Sequence, residues 1–407
     1  MLLLGSALGF PPEHPGLSPG GPAALPLLAQ RELSTEHEGT IAHYDCAPQL
    51  SLAGPEQVEW IELDQPGLLR VELSADAKDG LHLLLLIDPT VQGDRASGCL
   101  AHNADVIIEP VLPAGRYLLV VDSVESAPAA ALPYQLAIEQ LPAGVWTRLP
   151  LAPGIEWARH WDPSIPRTVS LLQVAPEARD AMVIRRHDGC EPIAAVAERI
   201  GALAGINAAF FSMRCEPLCL LASEGRTIAQ SHMGKGPQRT LGWYADEPLR
   251  WAWVDEDLNW AGVDFAVAGY PSLVRAGEAW VDPSDASSFQ THRHPRSAIG
   301  ATAQGAILLV AVDGRTELSA GVTMDELAAL MLELGAVDAI NLDGGGSTTL
   351  WVRGAWPGGV VNHPSDNEQA DHFGARAVSD GIYVLPPSPS SEHSTRVLGG
   401  SSENNAR

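Results

Sequence analysis

Short runs of alternating apolar and polar residues occupy the first third of the chain. They follow a segment rich in proline, glycine and alanine that ends near residue 38. Alternation with period two, interrupted by turn-forming residues, is typical of strands that bury one face. The pattern predicts an antiparallel β-sandwich over residues 39–141. The predicted strands are 58–63, 67–73, 81–87, 104–111, 115–122 and 134–138.

The pattern changes in the second part of the chain, where strands alternate with helices. Residues 307–312 are all apolar, as expected of a strand buried on both faces. A helix is predicted to begin at Thr323, because Glu326 completes a capping box, and to end at Gly335. A second short strand is predicted over residues 339–342.

Each of these two strands is followed by an aspartate and a glycine. The crossover between them favours parallel pairing, which would place Asp313 and Asp343 at the same edge of the sheet. Open α/β sheets bind ligands beyond the carboxyl ends of their strands. The glycines at 344–346 should leave backbone N–H groups uncovered, which suits an anion such as phosphate. Asp-Gly is also a common turn and a glycine run a common connector, but their joint position favours a site.

The pattern as a whole predicts a multidomain α+β protein. An antiparallel β-sandwich at 39–141 would be followed by a mixed α/β catalytic domain at 145–385. We expect residues 1–38 to be a disordered leader or a degenerate secretion signal, because the short apolar run at the start has no basic residue before it. Residues 386–407 are polar and without periodicity, which predicts a disordered tail.

Composition narrows the possible functions. The net charge of −25 argues against partners such as nucleic acid or anionic membrane surfaces. No apolar run approaches the roughly 20 residues that span a bilayer. We expect export, to the periplasm, the cell surface or the medium.

The five cysteines leave at least one thiol unpaired. Cys46 and Cys99 could bridge within the first domain, and one pair could form among Cys190, Cys215 and Cys219. Cys215 and Cys219 lack a matching second pair, so we do not expect a zinc site.

The stretch LDGGGSTT at 342–349, with its preceding helix and the AVDGR strand end, resembles the phosphodiester glycosidase family. Five further segments match in order, and the resemblance extends over about 145–385. These segments are GINAAFF at 205–211, GYPSLV at 269–274, HPRSAIG at 294–300, VNHPSD at 361–366 and RAVSDG at 376–381. The resemblance implies hydrolysis of a sugar-1-phosphodiester at the glycosidic carbon, which yields a free sugar and a phosphomonoester.

The first domain resembles the bacterial pre-peptidase C-terminal domain, a secreted accessory sandwich. Residues 113–122 and 134–138 carry the likeness. It implies association with carbohydrate or a surface, or assistance in folding. A plain spacer domain is the alternative.

Our hypothesis for the chemistry makes Asp343 the base or nucleophile and Asp313 its partner. Guanidinium groups bind phosphate in a bidentate manner, and the resemblance also places Arg296 near the site. The predicted phosphate-binding residues are Arg296, Arg315, Gly344, Gly345, Gly346, Ser347 and Thr348. The resemblance adds Asn207 and Asn362 to the pocket and favours this role for Asn207 over the alternative, a buried amide that satisfies backbone groups.

No compact ligand cluster such as an EF-hand loop is visible, so we expect neither an obligatory metal nor a cofactor. The expected partner is a sugar phosphodiester or a phosphorylated glycan. Two alternatives remain open. One is a non-catalytic binder of sugar phosphates or glycans, and the other is an enzyme that remodels exopolysaccharide or the cell envelope.

Overall fold

The computed structural model describes residues 27–386 of the chain, with several gaps. The gaps are 35–40, 48–49, 55, 65–66, 75–79, 104–105, 113, 125–132, 142–143, 163–166, 235–237, 245–246, 255–259, 261, 317–318, 354, 356–357 and 369–371. The predicted tail, apart from Pro386, and most of the predicted leader lie outside the described residues.

The described residues of the first domain form nine strands in two sheets. The strands are β1 (Leu27–Ser34), β2 (His43–Tyr44), β3 (Gln57–Leu63), β4 (Gly67–Ser74), β5 (Leu81–Gln92), β6 (Arg95–Asn103), β7 (Val106–Leu112), β8 (Gly115–Ser123) and β9 (Pro133–Leu141). The sheet orders are β1-β9-β4-β7 and β2-β6-β5-β8-β3. Apolar side chains from both sheets, such as Val71 and Leu85, share one buried cluster. The predicted β-sandwich is therefore confirmed.

Strand β1 corrects the predicted leader. Residues Leu27–Ser34 pair antiparallel with β9, so the prediction of a leader over 1–38 is wrong for this stretch. The segment has only a short alternating run, and its strand conformation comes from pairing with a partner more than one hundred residues away. Strand β6 was also missed, because its polar and small residues carry weak periodicity.

The second domain contains seventeen strands and three helices in the described part. The strands are β10 (Thr147–Ala152), β11 (Ile155–Asp162), β12 (Arg167–Val174), β13 (Met182–Glu191), β14 (Ala204–Asn207), β15 (Leu221–Ser223), β16 (Arg226–Ala229), β17 (Gln238–Trp243), β18 (Arg250–Val254), β19 (Phe265–Gly269), β20 (Ser272–Arg275), β21 (Glu278–Ala279), β22 (Arg296–Thr302), β23 (Ile307–Val312), β24 (Ala336–Asn341), β25 (Leu350–Val352) and β26 (Val378–Val384). The helices are α1 (Ile193–Ile200), α2 (Ser288–Thr291) and α3 (Met324–Glu333).

These strands form three sheets. The orders are β10-β11-β12-β23-β22-β24-β20-β21, β13-β26-β14-β25 and β16-β15-β19-β17-β18. The prediction of a β-rich multidomain protein is confirmed. None of the helices in the described part of the chain is long and apolar enough to cross a bilayer.

The predicted strand–helix–strand unit is present, with one difference. Strands β23 and β24 run parallel to each other but do not pair, because β22 lies between them and is antiparallel to both. Strand β22 occupies this position because it forms a hairpin with β23. The crossover through α3 therefore places β24 on the other side of β22. The carboxyl ends of β23 and β24 still lie at the same edge of the sheet.

The local predictions for this unit hold. In β23, alternate side chains enter two different buried clusters, one of which includes the apolar face of α3. Helix α3 begins with the predicted capping box: the Glu326 N–H donates to Thr323 Oγ1 at 3.2 Å, and the Thr323 N–H donates to Glu326 Oε2 at 3.0 Å. Gly335 follows the helix with a φ of 87°, in the left-handed region that glycine favours.

Two disulfides are present. Cys46 bonds to Cys99, and Cys190 bonds to Cys215. Cys219 is a buried free thiol. These pairs agree with the sequence, which allowed a bridge in the first domain and one pair among the three remaining cysteines.

Candidate active site

Two aspartates at one edge of the second domain form the centre of the candidate site. Asp343 follows β24 and is partly exposed, whereas Asp380 lies in β26 and is only 1% exposed. A single backbone segment holds both: the Asp343 N–H donates to Ala208 O at 2.9 Å, and the Ala209 N–H donates to Asp380 Oδ1 at 2.8 Å. Residues 207–209 thus connect two acids that belong to different sheets.

Burial affects the protonation of both carboxyl groups. Burial raises the pKa of Asp343 to about 6, although hydrogen bonds from the Ser347 side chain and the Gly344 N–H lower it. Burial raises the pKa of Asp380 to about 7, and the nearby charge of Asp343 raises it further against the hydrogen bonds from Ser379 and Ala209. The negative charge of ionised Asp343 therefore favours the protonated form of Asp380.

Sequence reasoning missed Asp380. Two indications were available: Asp380 belongs to the RAVSDG segment at 376–381, and it is a carboxylate inside a mostly apolar strand, where burial requires a partner. Its partners are the hydroxyl of the adjacent Ser379 and the N–H of Ala209, which is separated from it by 171 residues.

Asn207 positions the loop of Asp343. Its Nδ2 group donates to Asp343 O at 2.6 Å, and its Oδ1 atom accepts from Ser297 Oγ at 2.7 Å and from the Thr349 N–H at 3.1 Å. The side chain is almost fully buried. These contacts favour the alternative reading of Asn207 as a buried amide that satisfies backbone groups, while a direct contact with substrate stays a prediction.

Three consecutive glycines each leave room for a different arginine. A Cβ atom at Gly344 would lie 3.6 Å from Arg296 Cδ, and one at Gly345 would lie 3.1 Å from Arg315 Nη2. A Cβ atom at Gly346 would overlap Arg376 Nη2 and its ion-pair partner Asp366. The side chains of three arginines can therefore approach this backbone because the loop carries no side chains of its own.

The backbone amides of this loop are engaged within the protein. The Gly345 N–H donates to Pro295 O at 2.8 Å, the Ser347 N–H donates to Gly344 O at 3.3 Å, and the Gly344 N–H donates to the Asp343 carboxylate. The prediction of uncovered N–H groups is therefore wrong for Gly344 and Gly345. The loop makes one short 3₁₀ turn at Gly345–Ser347, which closes it on itself.

The arginines divide into one buried and two exposed groups. Arg296 is 2% exposed, and its guanidinium donates to Phe289 O at 2.6 Å, to His292 O at 3.2 Å and to Val322 O at 3.3 Å. Burial lowers its pKa to about 10. Its Nε and Nη2 groups hold backbone carbonyls, so the predicted phosphate contact would have to use Nη1.

Arg315 and Arg376 present their guanidinium groups at the surface beside the loop. Arg315 is exposed, with its Nη2 atom 3.3 Å from His294 Nδ1. Arg376 forms a two-point ion pair with Asp366 at 2.7 and 2.8 Å, and its Nη1 group donates to Ser347 Oγ at 3.5 Å. Sequence reasoning identified Arg315 but not Arg376.

The hydroxyl groups predicted to bind phosphate lie below the surface. Ser347 and Thr348 are both fully buried. Ser347 donates to the Asp343 carboxylate and accepts from Arg376, so it connects these two residues. Thr348 is not accessible to a ligand in this arrangement, and its predicted contact with phosphate lacks support.

Asp313 lies at the same sheet edge but faces other partners. Its Oδ1 atom accepts from the His363 N–H at 2.8 Å and from Asn362 Nδ2 at 3.1 Å. Asn362 also donates to Thr348 O at 3.1 Å, so Asp313 supports the loop from beneath. Burial raises the pKa of Asp313 to about 6, against the charge of Arg159. These contacts favour positioning roles for Asp313 and Asn362, and a catalytic role for Asp313 stays a prediction.

One group of possible metal ligands occurs among the described residues. It consists of Asp45, Cys46 and Cys99 in the first domain. Both cysteines are oxidised to a disulfide, and the Asp45 carboxylate accepts the N–H groups of Gly98 and Cys99 at 2.9 and 3.0 Å. These donors are already engaged and do not fit a metal ion.

The fold and site together define a class: a β-rich domain in which paired carboxylates and exposed arginines meet at a glycine loop. Residues 201–385, a little under half of the chain, match the phosphodiester glycosidase family. The resemblance of the LDGGGSTT stretch is thereby confirmed. The likeness of the first domain to the pre-peptidase C-terminal domain stays a prediction.

Individual relatives match over short stretches. N-acetylglucosamine-1-phosphodiester alpha-N-acetylglucosaminidase of Bos taurus is 31% identical over 134 residues, which is 30% of this chain and 24% of that protein. The SPbeta prophage-derived uncharacterized protein YomE of Bacillus subtilis is 36% identical over 95 residues, 23% of this chain and 13% of that protein. The matches thus span a quarter or less of either relative. Among solved structures, one match is the catalytic domain of zebrafish N-acetylglucosamine-1-phosphodiester alpha-N-acetylglucosaminidase, auto-inhibited by its pro-peptide. The two structures align with a TM-score of 0.46 and 20% sequence identity. The alignment covers 59% of this chain and 81% of the zebrafish chain.

Proposed function

We propose that this protein is a hydrolase that cleaves the glycosidic bond of a sugar-1-phosphodiester and releases a free sugar and a phosphomonoester. The observation that carries the proposal is the Asp343–Asp380 pair, held by residues 207–209 and flanked by two exposed arginines. The match of residues 201–385 to the phosphodiester glycosidase family supports it.

Asp343 acts on the anomeric carbon in this proposal. It is partly exposed, and with a pKa of about 6 it is ionised at neutral pH. A carboxylate beside the anomeric centre stabilises the oxocarbenium-like transition state, and it either activates water or attacks directly. Asp380 is buried and has its own carboxyl pKa at about 7, so it serves as a positioning residue that limits the negative charge around Asp343.

The arginines stabilise the leaving group. A phosphate monoester leaves with its negative charge already delocalised, so it needs less protonation than a sugar alcohol. Guanidinium groups bind phosphate oxygens with two parallel hydrogen bonds. Arg315, beside Gly345, meets this requirement. Arg376, beside Gly346, already forms a two-point ion pair with Asp366, so it contributes mainly positive charge to this part of the site.

We also propose that the protein works outside the cytoplasm. Two disulfides occur in the described part of the chain, one in each domain. Disulfides persist in oxidising compartments and are rare in the cytosol of mesophiles. The expectation of export to the periplasm, surface or medium therefore has chemical support.

The test is release of reducing sugar from methyl and nitrophenyl esters of N-acetylglucosamine-1-phosphate by the purified protein. We expect turnover by the wild type and a loss of about 10²- to 10⁴-fold in kcat for Asp343→Asn. Asp188→Asn, which makes the same chemical change at an exposed position, should retain activity. Turnover by Asp343→Asn at the wild-type rate would refute the assignment. Binding of these esters without any turnover would identify a non-catalytic binder instead.

A further inference from the structure

We propose that Phe210, Tyr270 and Phe289 form an aromatic wall on which the pyranose ring of the substrate stacks. The inference rests on the proposed function and assigns the two halves of the substrate to the two ends of the glycine loop. The sugar of the substrate would be a ring with an apolar face, and these three residues would determine the specificity of the site for that sugar.

The wall is assembled from three separate elements. Phe210 follows β14, Tyr270 follows β19 and Phe289 belongs to α2. The ring of Phe289 lies 6.2 Å from that of Phe210 and 6.4 Å from that of Tyr270, and it stacks on Tyr270 with an angle of 19°. All three side chains are only half-buried. Aromatic rings that cluster while remaining partly open to solvent offer the surface on which apolar faces stack.

Each ring is tied to the loop that carries Asp343. The Tyr270 N–H donates to Asn341 O at 3.0 Å, and Asn341 Nδ2 donates to Tyr270 O at 2.8 Å, two residues before Asp343. Phe210 lies two residues beyond Ala208, whose carbonyl accepts the Asp343 N–H. The wall therefore has a fixed position relative to the catalytic carboxylate.

Arg296 connects Phe289 to the same loop. Its guanidinium lies 5.0 Å from the Phe289 ring centroid and donates to the Phe289 carbonyl, while its Cδ atom would lie 3.6 Å from a Cβ atom placed on Gly344. Arg296, which is buried and donates to three backbone carbonyls, therefore has a structural role at the wall. It fixes Phe289 against the start of the glycine loop.

Different side chains lie beside the start and the end of the glycine loop, so the sugar and the phosphate of a substrate would bind at different positions along it. Gly344 faces Arg296 and, through it, the aromatic wall. Gly345 and Gly346 face Arg315 and Arg376. A substrate lying along the loop would have its ring on the wall and its phosphate on the two exposed arginines, with the bond between them next to Asp343.

The substitution Tyr270→Leu tests the wall, because it keeps an apolar side chain but removes the ring. We expect KM for the N-acetylglucosamine esters to rise about 2- to 10-fold, the range expected for loss of one aromatic contact. Tyr270→Phe keeps the ring and should behave as wild type. Trp280→Leu, at an exposed aromatic that follows β21, is the matched control and should leave KM unchanged.

Two further measurements separate the possible outcomes. Inhibition by dimethyl phosphate, which lacks the sugar, should be equal in wild type and Tyr270→Leu. Binding of N-acetylglucosamine-1-phosphate to the Asp343→Asn protein, measured by calorimetry, should weaken by the same factor when Tyr270→Leu is added. An equal loss in Tyr270→Phe, or unchanged KM and binding in Tyr270→Leu, would overturn the wall. Absence of turnover in the wild type would overturn the proposed function alone, since the binding experiment does not need catalysis.

Discussion

Replacement of Asp380 by asparagine should stabilise the protein, and more so at alkaline pH. In the folded protein burial raises the Asp380 pKa from 3.8 to about 7. The unfolded chain therefore binds fewer protons than the folded chain between about pH 4 and pH 7, so this residue lowers stability as pH rises through that window. Asparagine keeps the shape and can still accept the Ala209 N–H, but it has no charge to bury.

The magnitude follows from the two pKa values. One pKa unit corresponds to 1.36 kcal/mol, so the buried carboxyl costs about 2 kcal/mol at pH 5 and about 4 kcal/mol at pH 8. Asp380→Asn should therefore gain about 2 kcal/mol more over the wild type at pH 8 than at pH 5. Asp313 and Asp343 have raised pKa values too, but both residues occur in the wild type and in the variant. Their contributions to the pH dependence of stability therefore largely cancel in the comparison.

Urea denaturation followed by tryptophan fluorescence is a suitable assay. Of the eleven tryptophans only Trp60 precedes the second domain, so the signal reports mainly on the domain that contains Asp380. Asp188→Asn controls for the chemistry of the substitution at an exposed position. If the difference between Asp380→Asn and wild type is the same at pH 5 and pH 8, the carboxyl is not held neutral by burial and our account of the pair is wrong.

Three other predictions concern the loop, the pH profile and the disulfides. Gly346→Ala should cost about 1 to 3 kcal/mol in urea denaturation, because its Cβ overlaps Asp366; an unchanged midpoint would contradict the packing of the loop. In pH–rate measurements, kcat/KM should rise through about pH 6 as Asp343 ionises, and a flat profile would exclude it as the base or nucleophile. Replacing Cys46 and Cys99 by alanine should cost about 2 to 5 kcal/mol in thermal unfolding of the first domain, and an unchanged transition would argue against the bridge.

The local features of the second domain could be predicted from the sequence by itself. The all-apolar run of β23, the capping box at Thr323 and the glycine at the end of α3 each depend on residues within one or two turns of one another. The placement of Asp313 and Asp343 at one edge also followed, because it requires only the direction of two strands. The LDGGGSTT stretch identified the family for the same reason, since a contiguous motif is readable without its surroundings.

The composition of the site was decided by the tertiary structure. Asn207 reaches Asp343 across 136 residues, and Ala209 reaches Asp380 across 171. The pattern of apolar and polar residues does not predict hydrogen bonds between residues so far apart in the chain. Whether an arginine holds backbone carbonyls, as Arg296 does, or remains at the surface, as Arg315 does, depends on which loops pack around it. The sequence thus determined which groups were available, while the packing of distant segments set their burial, their partners and hence their protonation.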